Sequence, residues 1–88
     1  MSTALFIPKA KYRVTQDFTD DTSNFVKGEI LTFDVGGYSR YDECYFYNFH
    51  DELGNRKDAA LDALRPSGCE PIGSPEAENL LKLFELLP

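Results

Sequence analysis

A chain of 88 residues can bury one hydrophobic core and leaves little room for an enclosed pocket with support around it, which argues against an enzyme. Its 42% hydrophobic and 14% aromatic content suits a folded domain and argues against a disordered tail. The 15 acidic against 9 basic residues give a formal charge of -6, which repels phosphate backbones, argues against nucleic acid and favours a basic protein partner.

Taken in chain order, residues 1–10 carry Leu5, Phe6 and Ile7 ahead of Pro8, which predicts a short strand or arm packed on the body. No basic stretch precedes them and no run approaches a membrane span, so the expectation is a cytoplasmic protein. Cys44 and Cys69 then read as reduced thiols, and they could pair only if the chain were exported. From Lys11 to Phe18, Tyr12, Val14 and Phe18 share one parity against Arg13, Thr15 and Asp17, the pattern of a half-buried strand. Residues 19–24 read as a polar loop with Phe25 and Val26 tucked beneath it. Lys27-Gly28-Glu29 is a turn in which Gly28 can supply a positive φ, and residues 30–35 form a second strand ended by Gly36 and Gly37.

After a polar linker over 38–42, residues 43–50 are the most strand-like segment, with aromatics on both parities, as expected of a central strand. Asp51 to Asn55 form a hairpin loop around Gly54, and residues 56–61 return antiparallel to that strand. The run 60–64 fits either a strand end or one helical turn, and Pro66, Gly68, Pro71 and Gly73 make an irregular connector. Ser74 is suited to cap a helix over 75–87, with Pro75 at its first position and Glu76 and Glu78 at the positive end of the dipole. Ala77, Leu80, Leu81 and Phe84 form its apolar stripe, widened by Leu83, Leu86 and Leu87. That stripe either packs on the domain's own sheet or docks on a second copy. No repeat or second domain is evident, so residues 1–88 are one unit: an arm, a β body over 11–72 and the helix.

Several of these residues carry a resemblance. Val14-Thr15-Gln16-Asp17-Phe18 resembles the Ala-Leu-Tyr-Asp-Phe signature of SH3 domains, with Asp20-Asp21-Thr22-Ser23 where their RT loop lies. Phe25-Val26-Lys27-Gly28-Glu29-Ile30-Leu31 resembles the turn and strand that follow, and Pro66-Ser67 could stand for the Pro-Ser before the short helical turn of that family. The resemblance covers residues 12–35 well and 43–72 loosely. It implies a mainly β chain: a small SH3-like antiparallel barrel, or a strongly bent sheet of about five strands, with one C-terminal α-helix. The proline-peptide activity is not carried over. Gln16 replaces the groove tyrosine, Cys69 lies where another is expected, and the chain has no tryptophan.

Chemistry is thinly represented. Cys44 and His50 share parity on one strand but lie about 20 Å apart along it, too far for a nucleophile and its base. Cys44, His50 and Cys69 lack the paired spacing of a zinc site, and Asp17, Asp20 and Asp21 lack the glycine and terminal glutamate of a calcium loop. No metal, cofactor or catalytic residue is therefore expected. The candidate binding residues are the carboxylates Asp17, Asp20, Asp21, Asp34, Asp42 and Glu43, which can accept paired bonds from arginine, together with Tyr38 and Tyr41. Solubility alone would also account for the carboxylates. The function expected is a non-catalytic protein-binding domain, most concretely an acidic immunity-type or antitoxin-type inhibitor of a basic toxin such as a nuclease. The alternative is an adaptor or oligomer docking through 75–87.

Overall fold

Alternation sets the first element: Tyr12 and Val14 are buried and Lys11 and Arg13 exposed in β1 (Lys11–Val14). The computed structural model describes residues 5–20, 23–39, 43–62 and 70–88. The polar loop expected after β1 is a short hairpin of β2 (Phe18–Asp20) and β3 (Ser23–Phe25). The stacking of Phe18 on Phe25, with ring centroids 4.5 Å apart, holds it. Phe18 thus opens a new strand and does not close the first. Gly28 turns the chain back at φ +90° and donates its N–H to the Val14 carbonyl at 2.8 Å.

The next strand, β4 (Ile30–Ser39), runs straight through both glycines that were expected to end it. Gly36 makes no turn but sits in a tight place, where a Cβ would lie 3.1 Å from Tyr45 Cε1 and that ring would have to give by a few tenths of an ångström. A bulge between Phe33 and Val35 shifts its register against β5 (Cys44–Asp51). The loop after β5 is the hairpin expected around Gly54, at φ +86°, with the Asp51 carboxylate accepting from the N–H groups of Leu53 and Asn55. The returning β6 (Arg56–Asp62) makes residues 60–62 of the ambiguous run strand, and residues 63 and 64 lie outside the described residues.

The C-terminal helix is shorter than its stripe predicts. Ser74 caps α1 (Pro75–Lys82), its Oγ accepting from Ala77 N–H at 3.1 Å, but the helix stops and Phe84–Leu86 form β7. Bonds to the free edge of β1, Thr15 N–H to Leu83 O and Leu87 N–H to Lys11 O, both 2.9 Å, outweigh local helix preference. The result is a five-stranded antiparallel sheet in the order β6-β5-β4-β1-β7, with the β2–β3 hairpin as a second sheet. The middle strand is β4, and β5 lies one place beside it.

The core gathers Tyr12, Val14, Phe25, Leu31, Phe33, Tyr47, Phe49, Leu80 and Phe84 around Phe6. Phe6 belongs to no strand, yet it is 1% exposed and meets the rings of Tyr12, Tyr47, Phe49 and Phe84 edge to face at 5.2–5.3 Å. The N-terminal segment is therefore an arm, tied down by Lys9 N–H on Phe33 O at 2.7 Å.

Candidate functional site

Among the described residues, the sequence-derived binding candidates do not gather at one place. Asp17 accepts from Lys27 N–H at 2.7 Å and so holds the turn after β3. Asp20 is half-buried, and its Oδ2 accepts from Ala60 N–H at 3.4 Å across to β6. Asp34, next to the bulge, pairs with His50, whose Nδ1 lies 2.8 and 2.9 Å from its two oxygens. Tyr38 is 43% exposed, two strand positions beyond Gly36. Glu43 is exposed in the turn just before β5, with φ +55°. Asp21, Tyr41 and Asp42 lie outside the described residues, as do Cys69 and Pro66-Ser67.

Strand alternation sorts the rest of β5. Tyr47 and Phe49 enter the core, while Cys44, Phe46, Asn48 and His50 lie on the opposite face, across from Asp62, Ala60, Asp58 and Arg56 of β6. On that outer face Asp58 accepts from Asn48 Nδ2 at 2.8 Å and from Arg56 Nε at 2.9 Å, and this carboxylate holds the guanidinium's proton more tightly than usual. Cys44 and His50 sit at opposite ends of the row, and among the described residues no group of three potential ligands could hold a metal ion. Cys44 Sγ is 3.9 Å from Asp62 Oδ1.

One arrangement escaped the sequence reading. A crevice of about 220 Å³ opens between the arm and the inner side of β4 and β5, with Phe6, Tyr45, Tyr47 and Glu70 among its walls. Glu70 Oε2 accepts from Tyr47 Oη at 2.7 Å and from Leu5 N–H at 3.1 Å. Burial, followed by the bond to Glu70, raises the Tyr47 hydroxyl well above the ordinary tyrosine range. Burial and then the Glu70 charge raise Tyr45 also. Glu70 stands in an aperiodic connector, and nothing in its neighbourhood of sequence marks it.

The helix stripe is used within the chain: Ala77 is fully buried, and Leu80 is 4% exposed in the core. Among the described residues no helix is long and apolar enough to cross a membrane. No family model, curated protein or solved structure matches the chain.

Proposed function

We propose that the chain is a non-catalytic, SH3-like protein-binding domain that engages a basic protein. The strand order β7-β1-β4-β5-β6, with a hairpin inserted between β1 and β4, supports an SH3-like reading, in which the β2–β3 hairpin stands for the RT loop and the bulged β4 bends the sheet towards a barrel. Gln16 is exposed where the groove tyrosine would stand, so proline-rich ligands remain a poor fit.

The observation that carries the binding reading is the sign of the overall charge. Arg13, Arg56 and Lys57 pair inside the chain with Glu85, Asp58 and Glu29. Asp17, Glu52, Asp62, Glu76 and Glu78 are exposed carboxylates outside any ion pair among the described residues. Lys9, Lys11, Lys27 and Lys82 are likewise exposed and outside those ion pairs, so the acidic surplus belongs to the chain as a whole, and its charge of -6 speeds encounter with a cationic surface. In its most specific form the domain is a cytoplasmic immunity-type or antitoxin-type inhibitor that covers a basic toxin's substrate site.

The test is capture by the tagged chain from its native lysate, followed by titration of the purified captured protein. A basic protein is expected, with affinity that falls as salt rises and with Asp62→Lys, and with its own activity blocked at equal stoichiometry. Capture of no basic protein, or binding indifferent to salt and to Asp62→Lys, sinks the reading. Binding without loss of the partner's activity removes only the inhibitor form.

A further inference from the structure

Backbone directions along β4 follow from the bonds around it. Phe33 bonds Ala10 and Lys9 on the β1 side, at 3.0 and 2.7 Å. Asp51 N–H bonds Asn55 O at 2.9 Å on the β6 side, so by alternation Cys44, Phe46, Asn48 and His50 turn their peptide groups towards β4. Past the bulge their partners are Ser39, Gly37 and Val35, which leaves Gly36 and Tyr38 directing N–H and C=O away from β5. The β1–β4 pairing ends at Thr32, so among the described residues these groups have no strand partner.

The other sheet edges are managed. Along β6, Asp58 N–H donates to Ser23 Oγ at 3.0 Å and Ala60 N–H to Asp20 Oδ2 at 3.4 Å, so the hairpin caps that edge. The β7 edge is only Phe84–Leu86 and carries Glu85. Val35–Ser39, by contrast, holds neither a charge nor a proline, and Val35 and Tyr38 are 57% and 43% exposed.

Recesses lie on both sides of this edge. The crevice beside Glu70 is on the inner side, and a shallow trough of about 490 Å³, with Gly37, Phe46, Asn48 and Arg56 in its walls, is on the outer side; Val35 and Gly36 border both. A strand added to the edge sends alternate side chains to the two faces, which is how strand addition combines backbone affinity with side-chain selection. Aromatic walls and a carboxylate suit a cation on the inner side. A second copy would bring another -6 charge to the contact.

We infer that Val35–Ser39 of β4 accepts an extended segment of a protein partner, one lysine or arginine of which enters the crevice beside Glu70 while a neighbouring residue lies over Phe46. This rests on the reading of the chain as a binder of basic protein and gives that binding a place.

The probe is a random-sequence displayed peptide library selected on the full chain, with the selected peptides then titrated into isotope-labelled protein. Selected peptides should be rich in lysine or arginine, lack proline at their centre, and slow hydrogen exchange at the Gly36 and Tyr38 amides. Tyr38→Pro removes an outward N–H without touching the β5 ladder and should abolish binding, whereas Tyr38→Ala keeps that N–H and retains it. Glu70→Gln should weaken basic peptides about tenfold and spare neutral ones. Basic peptides that bind but protect amides elsewhere, or that tolerate Tyr38→Pro, overturn the inference and leave the parent reading standing. Failure to select basic peptides overturns both. A concentration-dependent dimer that protects the same amides overturns the choice of occupant.

Discussion

Tyr47 Oη donates a 2.7 Å hydrogen bond to Glu70 Oε2, tying a ring that is 1% exposed to a carboxylate from the connector before the helix. A bond to a charged acceptor contributes more than a neutral one, so Tyr47→Phe should cost about 1–2 kcal/mol. The fold also keeps this hydroxyl protonated beyond its ordinary range. An unfolded tyrosine releases its proton near pH 10 and the folded one does not, so this contribution is complete below about pH 10 and declines as pH rises above it. Thermal unfolding followed across pH 9 to 11.5 should show a steep fall in wild type and a shallower one in Tyr47→Phe. Parallel slopes would refute the assignment.

Lys57 Nζ lies 2.6 and 2.8 Å from the two oxygens of Glu29 and 2.6 Å from the Asn24 carbonyl, with both charged side chains 18% exposed. Removing one partner leaves the other largely dry, so Lys57→Met should destabilise by about 2–3 kcal/mol, and Lys57→Met with Glu29→Gln by less than the sum. Denaturant titration of the double-mutant cycle measures this. Strict additivity would mean that the pair is not coupled.

Phe6 lies outside every strand, yet it should be among the costliest positions to truncate. Phe6→Ala removes a ring that four others pack against edge to face, a loss of about 3–5 kcal/mol and much of the stability of a domain this size. A loss below 1 kcal/mol in urea unfolding would show the arm to be dispensable.

Gly28 and Gly37 should respond oppositely to alanine. At φ +90° Gly28→Ala is strained and should cost about 1 kcal/mol, whereas a Cβ on Gly37 meets nothing within 4 Å, and Gly37→Ala should be neutral or gain about 0.5 kcal/mol. Midpoint shifts of the same sign in both variants would contradict this.

Where alternation or capping chemistry is local, the sequence was readable: β1, the Gly28 and Gly54 turns, the β5–β6 hairpin and the Ser74 cap all follow from short patterns. It failed where distant backbone decides. Phe84 fits a helical stripe as well as a strand, and only the free edge of β1 selects the strand. The glycines of β4 look like a stop until β5 is laid beside them, pairing Gly36 with Tyr47 and Gly37 with Phe46. Of the binding candidates, Asp17 and Asp20 are taken up in holding the hairpin, a use that composition cannot distinguish from display. Glu70 and the outward amides of Gly36 and Tyr38 have no sequence signature, because burial and strand pairing create them.

Phe6 and Phe84 touch at 5.3 Å, and the ring stacked on Phe84 at 4.9 Å is Phe49, from the middle of the chain. No shorter stretch contains all three. Assembly of the core must therefore await synthesis of residue 84, and it must close nearly the widest loop available to the described chain before any of that burial is gained. Until then Phe6 and Phe49 lack the ring that both pack against, and closure of the core turns on how quickly residues 6 and 84 meet.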